Sequence, residues 1–483
     1  MTSSVDWKDV QGLVRYAYGQ APKTAFCLLQ VVDRAAAKRW LAALHARVSR
    51  AENATPPPAT LLNIAFTLPG LRRFGLREET LATFPRAFRE GMTTPYRSRL
   101  LGDIEANRPT EWYWGGPGQS EDLHVLLMIY ADTDEHLAKR LDEERANWDG
   151  ALRILPPSPL RAYSDVPPES NVEHFGFRDG VSQPVIDDVH TRPTGEDEES
   201  EVEPVKTEEL VKTGEFVLGY ENEFGQVPLS PDASAERDAR GNHSPVRDGC
   251  YRNDLGLNGT FLVMRQLEQD VTGFWNFIRR ASQARASAHD PLSEERLAAK
   301  MIGRWRDGSP LVTSPDRPNH ERERNDFGFR DEDASGLRCP IGAHIRRANP
   351  RDSLIDSSSG SYSLVRLHRM VRRGRKYGSK IPYEWRFVPD NRERGLFFVA
   401  LVASIERQFE FMQGAWINGS QFGGLVGERD PLMGNPGSKG LFTIPDTPCG
   451  VQIGNIPLFI AVRGGAYFFL PSLSAIAFLA RPH

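Results

Sequence analysis

The order of hydrophobic and polar residues at the start of the chain predicts a strand, a helix and a second strand. A compact apolar run at residues 25–33 favours a central strand. Residues 34–49 have helical spacing, with Trp40 and Leu41 on one face. A second strand is predicted at 61–68, where a proline and a glycine end the pattern.

The next apolar segments repeat this arrangement. Residues 122–131 predict a strand, and residues 133–148 predict a charged helix that Thr133 opens as N-cap. Strands and helices in this order are typical of a ferredoxin-like α+β unit.

A similar order returns in the second half of the chain. The predicted elements there are strands at 260–267 and 395–403, helices at 269–284 and 404–416, and an apolar segment at 466–473 that leads into a last helix. We therefore expect two domains of the same plan, residues 1–213 and 214–483.

Composition excludes some classes of protein. The chain has 483 residues, 39% hydrophobic and 26% charged, which is ordinary for a globular protein. Its net charge of −4 argues against a nucleic-acid binder that relies on overall charge. Residues 195–209 carry eight acidic residues and one lysine, a pattern that favours a solvated linker or insertion over a binding site.

No segment of the sequence predicts a membrane or export signal. The first residues lack the basic start and apolar run of a signal peptide. The longest apolar stretch, 466–480, is interrupted by Pro471 and is shorter than the roughly 20 residues that span a bilayer. We expect a cytoplasmic protein that does not contact a membrane, and the oligomeric state, a homo-oligomer included, stays open.

Residues 339–351, Cys-Pro-Ile-Gly-Ala-His-Ile-Arg-Arg-Ala-Asn-Pro-Arg, contain the first candidate chemistry. Neutral imidazole, here His344, is well suited to binding iron, and guanidinium groups pair with carboxylates through two hydrogen bonds. A haem offers both an iron and two propionates. From this segment alone, a histidine in the core or on a basic surface loop is the favoured interpretation, because most histidines bind no metal.

A second segment, Phe175-Gly-Phe-Arg-Asp-Gly180, contains a single carboxylate, Asp179, with glycines on both sides. Together the two segments resemble the dye-decolourising peroxidases. That family has a Gly-x-x-Asp-Gly segment upstream and a Gly-Ala-His-x-Arg-(Arg/Lys)-x-Asn-Pro-Arg segment downstream. Further similar stretches extend the resemblance over almost the whole chain.

The resemblance implies two ferredoxin-like domains, each an antiparallel sheet with flanking helices, and a haem in the C-terminal domain facing the linker region. It also implies one haem b per chain. The cysteines lack a Cys-x-x-Cys-His pattern, so this haem would be held non-covalently. The implied activity is reduction of hydrogen peroxide through a ferryl intermediate, with dyes, phenolics or other organic molecules as electron donors.

In this interpretation His344 is the axial iron ligand and Asp179 is the proton shuttle on the opposite face. Asp179 could instead be a turn residue that caps the backbone of Gly180 or Val181. The charge-stabilising partner would be an arginine in residues 370–378, a segment that resembles the family's pattern. Register favours Arg372, and the doubled arginine leaves Arg373 open.

Three further roles are expected around this centre. An iron-bound imidazole normally donates its second N–H to a carboxylate, for which we favour Glu406 over Glu410. Arg346 is the first candidate for a propionate, whereas Arg347 or Arg351 could fix the loop. Leu396 and Phe398 alternate on one strand, and in the family this strand narrows the distal cavity; core packing explains them equally well.

The pentapeptide Phe-Gly-Phe-Arg-Asp occurs twice, at 175–179 and at 327–331. We assign the chemistry to the first copy, because glycines flank its aspartate and allow backbone to approach a cofactor. The second copy continues with acidic residues and is expected to be a charged turn. Two other functions stay open: a haem carrier without turnover, and an enzyme that releases iron from haem.

Overall fold

The structure is a computed structural model of the chain. It describes residues 4–52, 58–165, 170–187, 210–236, 253–284, 293–319, 325–437 and 440–481. The acidic run at 195–209 lies outside the described residues.

The described strands are β1 (Lys23–Val31), β2 (Thr60–Phe66), β3 (Val125–Ala131), β4 (Leu152–Ile154), β5 (Leu160–Tyr163), β6 (Val185–Ile186), β7 (Leu210–Val211), β8 (Thr260–Gln269), β9 (Val371–Arg372), β10 (Arg375–Tyr377), β11 (Gly395–Val402), β12 (Leu441–Ile444), β13 (Val451–Gly454) and β14 (Ile460–Leu470). In this part of the chain, ten of them form one sheet in the order β10-β5-β1-β3-β2-β14-β8-β11-β9, with β4 beside β1. Because β10 also pairs with β11, the sheet closes on itself.

The sheet is antiparallel throughout, and each half of the chain builds one part of it. The two parts meet where Phe469 of β14 pairs with Phe66 of β2 and where Lys376 of β10 pairs with Tyr163 of β5. This arrangement, with helices on the flanks, confirms the predicted α+β class of two ferredoxin-like units. The boundary between residues 213 and 214 stays a prediction.

Burial on both faces explains why the central strands are almost continuously apolar. In β1, Ala25, Cys27 and Leu29 belong to one core cluster, and Phe26 and Leu28 belong to another. A strand of a one-sided sheet would alternate polar and apolar residues, whereas a strand that packs on both faces does not.

The described helices are α1 (Arg34–His45), α2 (Leu68–Phe74), α3 (Glu78–Leu81), α4 (Arg86–Glu90), α5 (Pro95–Leu101), α6 (Asp134–Trp148), α7 (Val271–Gln283), α8 (Glu294–Ile302), α9 (Phe329–Asp333), α10 (His344–Ala348), α11 (Ser358–Arg366) and α12 (Leu473–Leu479). As predicted, Thr133 caps α6: its hydroxyl accepts the N–H of His136 at 3.2 Å. The helix expected at 404–416 instead forms two π-helical segments, Ile405–Glu410 and Met412–Ile417. Among the described helices, none is long and apolar enough to cross a membrane.

Candidate active site

A cavity of about 500 Å³ lies against the face of the sheet formed by β8 and β11. This volume is within the range of ligand and cofactor sites. Five of the residues singled out from the sequence line it: Asp179, His344, Arg372, Leu396 and Phe398. They come from four separate parts of the chain, and the fold brings them to one chamber.

His344 begins the short helix α10 and is fixed from behind by a carboxylate. Its Nδ1 lies 2.8 Å from Oδ2 of Asp430. Its side chain keeps 29% of its surface exposed, and it is among the residues that line the cavity. Among the described residues nothing hydrogen-bonds its second nitrogen, Nε2. The imidazole is therefore held at one nitrogen and available at the other, as an axial metal ligand must be.

The prediction that Glu406 or Glu410 pairs with His344 is wrong. The π-helical segment that begins at Ile405 directs Glu406 to α4, where Oε1 accepts the N–H of Ala87 at 2.6 Å. Glu410 is buried and pairs with Arg97, and its Oε1 accepts the hydroxyl proton of Tyr467 at 2.8 Å.

Asp430 was missed from the sequence, although a local signal exists. It precedes Pro431, and an aspartate at such a position favours a turn in which its side chain accepts backbone N–H groups. Oδ1 accepts the N–H groups of Leu432 at 2.9 Å and Met433 at 2.8 Å. The turn therefore fixes Oδ1 and leaves Oδ2 for His344.

Electrostatics favour an ion-pair character between these two groups. Burial alone would lower the pKa of His344, but the adjacent Asp430 outweighs it and raises the pKa. Burial alone would raise the pKa of Asp430, but His344 and the N–H of Met433 hold that pKa below its usual value. Asp430 is thus a carboxylate, and it increases the basicity of the imidazole.

Asp179 is exposed to the cavity at the end of a tight hairpin. Its backbone N–H donates to the carbonyl of Asn171 at 2.8 Å, and its Oδ1 accepts the N–H of Gly180 at 2.6 Å. Gly180 has a positive φ of 77°, which glycine adopts without steric cost. The capping role and the cavity-facing role considered from the sequence are therefore compatible.

Both Arg372 and Arg373 line the cavity, and the contacts of Arg372 lie on the Asp179 side. Arg372 donates to the carbonyl of Ser182 and interacts electrostatically with Asp179. Burial lowers the pKa of Arg372, and Asp179 opposes that shift. Arg373 is engaged elsewhere, since it donates to the carbonyls of Leu13, Val14 and Arg15.

Arg346 does not line the cavity, so its predicted role at a propionate is wrong. It is buried, and its guanidinium donates to the carbonyls of Asp333, Ala334 and Cys339. Arg347 fixes the loops near Asp430 through the carbonyls of Trp416, Gly419 and Glu428. The arginines that do line the cavity include Arg304, Arg351, Arg369 and Arg372.

The cavity can accommodate a haem by the chemistry of its lining. Leu396, Phe398, Phe409, Met412, Trp416, Ile417, Leu432 and Met433 supply apolar and aromatic surface. The arginines supply positive charge, and His344 supplies one available imidazole nitrogen. Among the described residues no group of three or more His, Cys, Asp or Glu side chains could hold a bare metal ion. The imidazole of His344, in a cavity with much apolar lining, fits an iron that a macrocycle already holds by its other ligands.

Sequence relatives of the chain are dye-decolourising peroxidases, although no protein-family model matches it. It is 27% identical over 439 residues to dye-decolorizing peroxidase msp1 of Mycetinis scorodonius, covering 87% of this chain and 76% of the relative. It is 26% identical over 496 residues to a dye-decolorizing peroxidase of Exidia glandulosa, covering 98% and 87%.

Solved structures of similar fold carry the same family name. A dye-decolorizing peroxidase of Auricularia auricula-judae superposes with a TM-score of 0.75 at 24% identity, over 99% of this chain and 100% of the other. A dye-decolorizing peroxidase complexed with 2,6-dimethoxyphenol gives a TM-score of 0.75 at 24% identity with the same coverage. The sequence relatives and the shared fold together confirm the predicted resemblance to the dye-decolourising peroxidases, and they support the prediction that the chain is a peroxidase.

Proposed function

We propose that the chain binds one non-covalent haem b in this cavity through His344, reduces hydrogen peroxide there and oxidises dyes, phenolics or other small organic donors. The observation that carries the proposal is that His344, with one available ring nitrogen, lines the same cavity as Asp179 and Arg372. When bound, the haem would supply the iron centre at which peroxide is reduced.

Each of the chain's own groups has a defined task in this proposal. His344 would hold the iron through Nε2, while Asp430 keeps the proton on Nδ1 and increases the basicity of the ring. Asp179 would accept a proton from one oxygen of hydrogen peroxide and pass it to the other oxygen, which would leave as water. Arg372 stays protonated at every working pH and stabilises the negative charge that develops on the departing oxygen.

The remaining groups keep the reaction selective. Leu396 and Phe398 lie beside each other on β11 and narrow the chamber, so that bulk water is excluded. Arg304, Arg351 and Arg369 supply positive charge that suits the two propionates, in place of the predicted Arg346.

The first test is an absorbance titration of the purified chain with haem. We expect one equivalent to bind with a Soret band, and His344→Ala to lose or shift that band. His368→Ala is the matched control, because His368 is a second imidazole in the same cavity, and it should leave the band in place. An unchanged spectrum in His344→Ala would reject the assigned ligand.

The second test is turnover with hydrogen peroxide and 2,6-dimethoxyphenol, the donor seen with the structural neighbour. A peroxidase consumes peroxide and oxidises the phenol. A haem carrier would show the Soret band and no consumption, and an iron-releasing enzyme would lose the band as free iron appears.

A further inference from the structure

Glu173 is a carboxylate that lines the same cavity and has no part in the reaction as proposed above. Its Oε1 accepts the N–H of Phe177 at 2.8 Å, and its Oε2 accepts the N–H of Phe175 at 2.8 Å. Oε2 also accepts the side-chain amide of Gln269 at 2.7 Å. One carboxylate therefore gathers three donors, two of them from the turn that leads to Asp179.

The backbone of this segment is a hairpin closed at Glu173. The N–H of Glu173 donates to Phe177 O at 2.9 Å, and the N–H of Gly176 donates to Glu173 O at 2.9 Å. Further along, the N–H of Asp179 donates to the carbonyl of Asn171. Because side chains alternate between faces, a shift of this pairing by one residue would turn Asp179 away from the cavity.

The hairpin is attached to rigid elements by the same residues. Gln269, the donor to Glu173, is the last residue of β8, and its own N–H is bound by the carbonyl of Arg394 at 2.9 Å. Trp275 of α7 donates its indole N–H to the carbonyl of Phe175 at 3.0 Å. Glu173 thus links the turn to the strand whose preceding residues line the cavity beside Leu396.

We propose that Glu173 is a positioning residue for Asp179: its carboxylate fixes the register of the 171–179 hairpin and, through Gln269, ties the hairpin to β8. The inference rests on the proposed function for the role of Asp179. A residue that only capped a turn would stabilise the fold without affecting the position of Asp179, whereas Glu173 is proposed to determine that position.

The experiment is a double-mutant cycle in the haem-loaded full chain. Glu173→Gln keeps the size of the side chain but places an amide NH₂ against an N–H donor. The substitution therefore removes hydrogen bonding between this side chain and the hairpin. We expect the second-order rate of reaction with peroxide to fall on the order of 10- to 100-fold, since misplacement of a reacting group by about 1 Å has that effect. The Soret band and the KM for 2,6-dimethoxyphenol should not change.

The cycle is completed with Asp179→Asn. If Glu173 acts through Asp179, Glu173→Gln causes no further loss in the Asp179→Asn background. Equal fold losses in both backgrounds, or no loss in the otherwise native chain, would overturn the inference. An unchanged peroxide rate in Asp179→Asn alone would instead reject the proposed function, and the positioning role with it.

A readout that needs no haem accompanies the cycle. In the apoprotein, hydrogen exchange at the amides of Phe175 and Phe177 should be faster in Glu173→Gln. Glu144→Gln is the control, because Glu144 is also buried, bonded to Arg47 at 3.0 Å, and distant from the cavity lining. Glu144→Gln should lower stability without changing exchange in the hairpin. Unchanged exchange in Glu173→Gln would overturn the inference.

Discussion

Residues 175–179 and 327–331 have the same sequence, Phe-Gly-Phe-Arg-Asp, and fold differently. The first copy forms a hairpin and delivers Asp179 to the cavity. The second forms the start of α9, and its aspartate, Asp331, lies on the surface beside Ser358 and does not line the cavity. In both copies the two phenylalanines are buried.

The two copies differ in which of their backbone N–H groups donate hydrogen bonds to a neighbouring carboxylate. Glu173 accepts from Phe175 and Phe177, the first and third residues of the pentapeptide, which favours a turn. Asp352 accepts from Phe329, Arg330 and Asp331, the last three residues, which is the pattern of a helix N-terminus. Glu173 is close in sequence to its copy of the pentapeptide, whereas Asp352 is 21 residues from Asp331 and reaches its copy through the tertiary structure. Identical pentapeptides therefore take the conformation that their acceptor selects.

The largest expected effect comes from exchanging the two aspartates for asparagine. Asp179→Asn removes the proposed proton acceptor and should slow the reaction with peroxide by about 10²- to 10⁴-fold. Asp331→Asn should leave the rate unchanged, because that side chain faces solvent. Stopped-flow mixing with peroxide measures both, and similar losses in the two variants would contradict the assignment.

The second largest effect is expected from removing Asp352, the carboxylate that accepts the backbone N–H groups of the second copy. Asp352→Ala leaves the buried N–H of Phe329 without its partner at 2.6 Å, and we expect a loss of about 2 kcal/mol in the free energy of unfolding. Asp352→Asn retains one acceptor oxygen and should lose less. Urea unfolding of the apoprotein measures both; an unchanged midpoint for Asp352→Ala would show that this carboxylate does not hold the helix start.

Replacing the glycine of either copy by alanine should lower the free energy of unfolding, but for a different reason in each copy. Gly176 has φ of 99°, so Gly176→Ala should cost about 1 kcal/mol in backbone strain, whatever its methyl group contacts. Gly328 has an ordinary φ of −106°, but an added Cβ would lie 2.2 Å from Oδ2 of Asp352. Gly328→Ala should therefore cost little in an Asp352→Ala background, whereas Gly176→Ala should cost the same in both. Unfolding of the four variants tests this coupling.

The smallest expected effect is a pH dependence at the first copy. Burial raises the pKa of Glu173 from 4.5 to about 7, against the N–H groups that lower it. Between these values the folded chain binds more protons than the unfolded chain, so the contribution of Glu173 to stability falls as pH rises. The stability difference between the native chain and Glu173→Gln should therefore shrink from pH 4.5 to pH 7. A stability difference that instead grows between pH 4.5 and pH 7 would contradict this prediction.

Local patterns were sufficient for the elements and for part of the site. The apolar runs predicted β1, β8 and β11, and the N-cap threonine predicted the start of α6. His344, Asp179 and Arg372 were predicted from short motifs, and Leu396 and Phe398 were predicted from their alternation along a strand; all five line the cavity. The predicted partner of His344 was wrong, because the true partner comes from a loop distant in sequence. The predicted role of Arg346 was wrong, because carbonyl groups of the preceding segment bind its guanidinium and keep it out of the cavity lining.

The sequence by itself determined the chemical types: one imidazole, one carboxylate between glycines, permanently charged arginines and strands apolar enough to be buried on both faces. Only the tertiary structure decided which carboxylate contacts His344, which arginines line the cavity and which copy of the pentapeptide places its aspartate there. Hydrogen-bond partners are decided by which groups the fold brings within reach of each other. His344 and Asp430 are 86 positions apart, and the local pattern at Asp430 predicts its turn but not this contact.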